Sequence, residues 1–136
     1  MLSYKHVVSA ILVAFTLACS SGPSGGRRYD GPGPVELQGH FTAKSGTSAD
    51  LEKTFHEVYY PAISSQAGFK YSNLLTVPNS SGKYVLTLAF ESEDLRIQWA
   101  QTDLHQEVWP QMTVLMSGDA PSRVDAFGIV DPPVAK

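Results

Sequence analysis

Apolar and polar side chains alternate along the first part of the folded region. From Val35 to Lys44 every odd-numbered position is apolar or glycine, and every even-numbered position is polar. This period of two predicts a β-strand that is buried on one face. Three further strand-like runs are bounded by turn-forming residues: Phe69–Val77, Lys83–Phe90 and Arg123–Val130.

A helical pattern of apolar residues separates the first two predicted strands. Five residues share one side of a helix in this pattern: Leu51, Phe55, Val58, Ala62 and Ile63. Thr47 or Ser48 is the predicted N-cap. Pro61 predicts a kink or an end of the regular helix near Tyr60. Gly68 stands where a residue just after a helix is expected.

The stretch 91–110 predicts two short consecutive helices. Ser92 is expected to cap the first, because acidic residues follow it in the first turn. Asp103, with Gln106 three residues later, resembles a capping box that starts the second helix. The joint between them is therefore predicted near Thr102. The buried stripe of the second helix is predicted at Leu104, Val108, Met112 and Leu115.

The order strand, helix, strand, strand, helix pair, strand predicts an α+β fold of the ferredoxin-like type. In this β-α-β-β-α(α)-β arrangement, a four-stranded antiparallel sheet carries its helices on one face. The opposite face would carry Gln38 and His40, while the other strands read as apolar or aromatic on both faces. An apolar free face predicts a second copy packed against it. We therefore expect a homodimer in the form of a dimeric α+β barrel.

A secretory signal is predicted at the N-terminus. Lys5 precedes the apolar run Val7–Ala18, which is too short for a mature membrane-spanning helix and fits the apolar core of a signal peptide. The four residues Thr-Leu-Ala-Cys that end at Cys19 resemble a bacterial lipobox, where the signal is removed and the cysteine is acylated. The alternative is an ordinary signal peptide, or a signal anchor with an incidental cysteine. A lipid on Cys19 followed by Ser20 indicates a membrane-anchored lipoprotein of the cell envelope, in the outer membrane if the cell has one.

These features divide the 136-residue chain into four parts. Residues 1–18 are the predicted lipoprotein signal peptide, and 19–34 are a flexible linker rich in Gly, Ser and Pro. Residues 35–132 form one domain, and 133–136 are a tail. Lysine and arginine number 10 against 13 acidic residues, so the formal net charge is −3. Because no basic stripe is present, nucleic acid is not an expected partner, and the single cysteine cannot form an internal disulfide.

Three aromatic residues surround the predicted helix joint: Trp99, His105 and Trp109. Histidine titrates near neutral pH, so His105 is a candidate general base. A helix-start histidine bonded to the backbone is the alternative. The two tryptophans are candidates for binding a small apolar aromatic ligand, with a role as core residues as the alternative. If the joint bends the chain, the three rings converge between the helices and the sheet.

Three strand residues are further candidates for substrate binding: Gln38, His40 and Asn73. The alternative for His40 is a hydrogen-bonded interface histidine, and for Asn73 an edge-strand residue. The sequence contains no Gly-rich loop opening a helix and no pair of histidines at metal-ligand spacing. We therefore expect neither a metal nor an organic cofactor.

Several segments together are similar to one known family. They are FTAKSG, AGFKYSNLL, YVLTLAFES, and then Trp99 followed by Thr102 and His105, where the family often has W-x-x-S-x-x-H. From about Val35 to Val130 the chain resembles the antibiotic biosynthesis monooxygenase-like group of the dimeric α+β barrel superfamily. The resemblance implies the ferredoxin-like dimer. It also implies, as one activity of the group, cofactor-independent oxidation of quinol-like aromatic compounds.

Heme-degrading members of that group use an Asn on the first strand, a Trp, and a His ten residues after that Trp. This chain has Trp99, but Gly39 and Trp109 stand at the other two positions, so heme degradation is not expected. Two functions remain open. One is a membrane-tethered, cofactor-independent monooxygenase of small quinol-like compounds. The other is a non-catalytic small-ligand-binding or stress-related lipoprotein of the same fold.

Overall fold

A four-stranded antiparallel sheet forms the centre of the protein. The computed structural model describes residues 26–130. In space the strands follow the order β2-β3-β1-β4, and every neighbouring pair is antiparallel. The predicted α+β, ferredoxin-like architecture is therefore confirmed. The strands are β1 (Val35–Thr42), β2 (Phe69–Thr76), β3 (Lys83–Phe90) and β4 (Arg123–Gly128).

The helical elements connect the strands in the predicted order. The first connection is one continuous helical run, consisting of α1 (Ser48–Thr54), a π-helical turn (Phe55–Tyr59) and α2 (Tyr60–Ser64). The second is a pair of helices, α3 (Glu93–Gln101) and α4 (Asp103–Thr113), with the joint at Thr102 as predicted. We call the face of the sheet that these helices cover the helix side, and the other face the open side.

The first helical run differs from its prediction at Pro61. The helix does not end near Tyr60, because a π-helical turn precedes the proline and the Tyr60 N–H donates to the Phe55 carbonyl five residues earlier. A proline ring clashes with the carbonyl four residues before it, and the wider π-turn accommodates this. The extra residue also shifts the buried stripe, so that Tyr59 is buried, at 1% exposure, and the predicted Val58 is only partly buried against the core.

The caps of the other helices show which hydroxyl groups are used. Ser92 caps α3 as predicted, since its Oγ accepts from the Leu95 N–H at 3.2 Å. The second start differs from its prediction, because Thr102 rather than Asp103 is the N-cap of α4. Gln106 does not complete a capping box; its side chain donates to the Ala100 carbonyl at 2.9 Å.

The core lies between the helix side of the sheet and the helices. Alternation places Val35 and Phe41 of β1 on this side, opposite Phe90 and Tyr84 of β3, and all four are buried. The stripe predicted for α4 fails only at its first member: Val108 and Met112 are buried and Leu115 packs partly buried against the core, whereas Leu104 is 38% exposed. Leu104 lies in the first turn of α4, where the helix has just left the joint. The buried members are Val35, Phe41, Ala43, Leu51, Phe55, Tyr59, Ala62, Ile63, Tyr84, Leu86, Phe90, Trp99, Val108, Met112 and Met116.

The open side of the sheet is more polar than the sequence indicated. Arg123 donates to the Asp125 carboxylate from Nε at 2.7 Å and from Nη2 at 3.1 Å, and His40 Nε2 lies 3.8 Å from Asp125 Oδ2. The Arg123 bonds, followed by the Arg27 backbone N–H, hold the pKa of Asp125 below its ordinary value. The expectation of apolar residues on both faces is therefore wrong for β4. The expectation does hold at Leu75 of β2, an apolar residue that is exposed on the open side.

The described end of the predicted linker lies along β4. The Ala126 N–H donates to the Arg27 carbonyl at 2.8 Å, and the Ile129 N–H donates to the Pro34 carbonyl at 2.9 Å. An edge strand has outward N–H groups that need acceptors, and this segment supplies two of them. The chain immediately before β1 is therefore hydrogen-bonded to the sheet, whereas the sequence predicted a flexible linker there.

The predicted anchor lies outside the described residues. This applies to Cys19, to the signal peptide and to the whole of the predicted C-terminal tail. Between residues 26 and 130, no helix is long and apolar enough to cross a membrane.

Candidate functional site

An apolar cavity of about 110 Å³ separates the α3–α4 pair from the helix side of the sheet. Three strands, both helices and the loop before β4 contribute to its wall, which explains why no single sequence motif describes it. Gly39 of β1 leaves a space in the wall beside Pro121, because it has no side chain. A Cβ atom built at this position would lie 3.7 Å from Pro121 Cγ, an ordinary contact distance. The lining residues are Leu37, Gly39, Leu86, Leu88, Arg96, Trp99, Ala100, His105, Trp109, Pro121 and Val124.

Thr102 connects two of the residues in this wall. Its Oγ1 accepts from the His105 N–H at 3.1 Å and donates to the Trp99 carbonyl at 2.8 Å. One hydroxyl therefore ends α3 and starts α4. This gives a physical reason why Trp99 and His105 each lie three residues from Thr102. A cap hydroxyl reaches the amide three positions ahead, and the same hydroxyl donates to the carbonyl three positions back.

The bend at Thr102 brings the three predicted rings together. The His105 and Trp99 rings lie 5.0 Å apart, edge to face, at an interplanar angle of 88°. His105 and Trp109 lie 5.9 Å apart and nearly parallel, at 21°. Aromatic pairs at such distances and angles are attractive. The imidazole is therefore held between two indoles by packing, and its rotation is restricted.

Tyr59 supports the two indoles from the π-helical turn. Its ring lies 6.3 Å from Trp99 and 5.8 Å from Trp109. Burial raises the pKa of the Tyr59 hydroxyl above its ordinary value, against a smaller lowering by the Trp99 indole N–H. The two groups do not form a hydrogen bond: among the buried side-chain polar atoms of residues 26–130, Trp99 Nε1 is the one without a partner. A buried donor without an acceptor is unfavourable.

The surroundings of His105 favour its neutral form. Burial lowers its pKa from the ordinary value, and the nearby Arg96 guanidinium lowers it further. The side chain of Gln106 lies 3.4 Å from Nδ1, and no acidic partner of the imidazole is present in the described part of the chain. A neutral imidazole in an apolar wall can accept a proton, which is the requirement for a general base.

Arg96 is a site residue that the sequence pattern did not reveal. It lines the cavity and is paired with Glu93, through Nε at 2.7 Å and Nη2 at 2.6 Å. A signal was present, because Arg96 and Trp99 are three residues apart on one helix and so share a face. Their common orientation towards the cavity, however, depends on how α3 packs against the sheet.

The predicted strand residues lie away from this cavity. Gln38 and His40 alternate with the cavity residues Leu37 and Gly39, so their side chains point to the open side. Asn73 is exposed and belongs to edge strand β2. Within one protomer the sheet therefore separates all three from His105, and their role in substrate binding stays a prediction. Gln38 donates to Glu36 at 2.7 Å.

The arrangement suits an uncharged or anionic aromatic ligand. The lining residues offer apolar side chains, a neutral imidazole, a guanidinium and two indoles, with no carboxylate among them. No cluster of three His, Cys, Asp or Glu side chains that could hold a metal ion is found within residues 26–130.

Solved structures show the same fold. An antibiotic biosynthesis monooxygenase, so described, from Caulobacter crescentus aligns with a TM-score of 0.64 and 19% identity, over 74% of this chain and 92% of that one. A second protein so described, from Bordetella bronchiseptica, gives 0.64 and 18%, over 72% and 98%. SnoaB, a cofactor-independent oxygenase from Streptomyces nogalater, gives 0.63 and 17%, over 76% and 99%.

The chain has the antibiotic biosynthesis monooxygenase fold. No family model and no curated protein matches the sequence. At such low identities the likeness of the structures extends to the fold, and one fold hosts many functions. The function has therefore to be argued from the cavity and its residues.

Proposed function

We propose that this protein is a cofactor-independent monooxygenase acting on a small quinol-like aromatic compound. The observation that carries the proposal is His105, packed between two indoles in the wall of an apolar cavity. One neighbour in fold, SnoaB, is a cofactor-independent oxygenase, which supports the same reaction type. In this role His105 is the general base, and Trp99 and Trp109 hold the aromatic ring.

The reaction needs no cofactor because the substrate supplies the electrons. When His105 removes the phenolic proton, the ring becomes an electron-rich phenolate that reduces O2. A new C–O bond forms at a ring carbon and the O–O bond breaks. The oxygen that stays on the ring becomes a hydroxyl group, and the two original hydroxyl groups become carbonyls. The other oxygen atom leaves as water, with the two hydrogens that the substrate loses. Hydroquinone and O2 would thus give hydroxybenzoquinone and water.

The size of the cavity limits the substrate. Drug-sized ligands occupy pockets of about 300–1,000 Å³, whereas this cavity measures about 110 Å³. A buried cavity of about 150 Å³ accepts benzene, so a single ring is the upper limit for the ligand here. The small volume also favours the second candidate, a non-catalytic protein that binds a small ligand in the same place.

Oxygen uptake with a panel of reduced quinones and naphthols separates the two candidates. We expect consumption of one O2 per product, with one atom of labelled O2 in the product. Gly39→Val provides the matched control, because its side chain would extend towards Pro121 and occupy the cavity. Ligand binding without uptake above the protein-free rate would favour the non-catalytic candidate.

The anchor is also a proposal: the protein is attached to the cell envelope through an acylated Cys19. We expect Cys19→Ser to move the protein from the membrane fraction to the soluble fraction, because the mature lipoprotein would lose its acyl chains. Each buried methylene of such a chain contributes about 0.8 kcal/mol. The measurement is immunodetection in both fractions, together with fatty-acid labelling. Equal amounts of variant and wild type in the membrane would contradict acylation.

Dimerisation through the open side of the sheet is proposed as well. The signal-free protein, residues 20–136, is expected to have twice the monomer mass in light scattering at micromolar concentration. The exposed Leu75 and the lack of any described helix over this side support the proposal. Leu75→Lys should shift the equilibrium towards monomer by placing charge in the interface. A monodisperse wild-type monomer would contradict the barrel.

A further inference from the structure

Arg96 gives the cavity an anion-binding group. It is the charged residue of the lining, and its side chain remains 20% exposed. A residue that both lines a cavity and contacts solvent lies at the cavity mouth. A ligand whose ring fills the apolar interior would therefore present its substituents to this guanidinium.

The guanidinium retains capacity for a second anion. Arginine carries five N–H donors in a planar fork, and Glu93 accepts one bond from Nε and one from Nη2. No other hydrogen bond of the Arg96 side chain is formed within residues 26–130. The remaining donors can form a bidentate pair with a carboxylate, which is the geometry that arginine binds best.

We infer that the cavity selects a monocyclic quinol that bears a carboxylate, a dihydroxybenzoate-type compound. The ring lies against Trp99 and Trp109, and the carboxylate binds Arg96 at the mouth. This inference rests on the proposed function, since it names the substrate class of the same site. The volume of about 110 Å³ leaves room for one ring, so the charged group must lie outside the apolar interior.

The lining explains why the carboxylate is preferred over a neutral substituent. Carboxylates are absent from the lining residues, and the negative charge of Glu93, on the other edge of the guanidinium, is already paired with Arg96. Hydrogen bonds between charged groups are stronger than those between neutral ones. The pair would be only partly shielded from solvent, so salt in the buffer should weaken it.

Anaerobic calorimetry with 2,5-dihydroxybenzoate and hydroquinone tests the inference. The two compounds share the ring and both hydroxyls, and they differ in the carboxylate alone. Without O2 neither is consumed, so binding is measured apart from turnover. We expect the carboxylate compound to bind about 10- to 100-fold more tightly. This preference should shrink when the salt concentration rises from low to high.

Two variants assign the preference to Arg96. Arg96→Gln should reduce it to less than about threefold, whereas Glu93→Gln should increase it by freeing the guanidinium and removing a negative charge. Glu93→Gln keeps Arg96 in place, so it remains informative if Arg96→Gln folds poorly. Lys53→Gln is the matched control, because Lys53 forms an exposed helical ion pair with Glu57 and should leave the preference unchanged.

The outcomes separate this inference from the proposed function. Equal affinities of the wild type for the two compounds, or a preference that survives in Arg96→Gln, would overturn it. So would failure of both compounds to bind. If the preference is present but no oxygen is consumed in air, the inference stands and the monooxygenase proposal fails. If hydroquinone is oxidised but the carboxylate compound is not preferred, the monooxygenase proposal stands and the inference about the carboxylate fails.

Discussion

His105→Ala is expected to lower the turnover of a quinol-like substrate by about 10²- to 10⁴-fold, the usual contribution of a general base. The proton acceptor is lost, while the substrate can still enter the cavity between the two indoles. The expected loss therefore lies in kcat, with a smaller change in KM. Oxygen uptake at saturating substrate measures it. The matched control is His56→Ala, since His56 is exposed on the helix surface outside the cavity.

The pH profile of the same reaction gives a second readout. Burial, and then Arg96, lower the pKa of His105, and the neutral imidazole is the form that accepts a proton. The rate should therefore rise with pH through an inflection below 6.5 and stay level above it. Arg96→Gln removes one of the two causes, so its inflection should move to higher pH. Unchanged turnover in a folded His105→Ala protein would return this histidine to a structural role.

Trp99→Ala should destabilise the domain by about 3–5 kcal/mol, as large-to-small changes of buried aromatic residues do. Trp99 is 2% exposed and contacts both Tyr59 and His105. Its removal would merge the space of the indole with the existing cavity. Urea denaturation at one fixed protein concentration, followed through Trp109 fluorescence, measures the loss. A change below about 1 kcal/mol would show that Trp99 does not hold the helices on the sheet.

Trp99→Phe is the matched variant because it keeps an aromatic ring and deletes the N–H that has no acceptor. An unsatisfied buried donor is unfavourable by about 1–3 kcal/mol, which offsets part of the lost packing. We expect Trp99→Phe to cost less than half as much stability as Trp99→Ala. If a ligand oxygen accepts from this N–H, ligand binding should weaken although stability changes little. Trp109→Phe is the control, because it also removes an indole N–H from the cavity wall but leaves the Trp99 N–H in place.

The sequence determined the local structure well. Alternation along β1 and the boundaries of β3 were predicted correctly, because the period of two reflects burial of one strand face. Ser92 was identified as a cap because its hydroxyl acts on an amide only three residues away. The joint at Thr102 follows from two successive helix-start signals. Strand alternation, helix caps and helix joints depend on residues that are close in sequence, so the local sequence is sufficient to predict them.

Local patterns failed where the backbone departed from a regular helix. The predicted stripe included Val58 and omitted Tyr59, but the π-helical turn adds one residue, so that Tyr59 is buried and Val58 only partly so. The sequence correctly identified Pro61 as a residue that disturbs the regular α-helix. It did not predict that a π-helical turn would precede the proline and let the helical run continue. Whether a proline ends a helix or is accommodated by a wider turn depends on what the following residues bury, and Ala62 and Ile63 are buried in this protein.

The composition of the site was decided by the tertiary structure. The sequence brought Trp99, His105 and Trp109 together because they are close along the chain. Alternation along β1 already placed Gln38 and His40 on the face opposite the helices, but strand pairing decided that Arg123 and Asp125 share that face. The packing of α3 against the sheet gave Arg96 its position at the cavity. A periodic pattern defines the faces of one element, but only contacts between distant elements decide which faces meet.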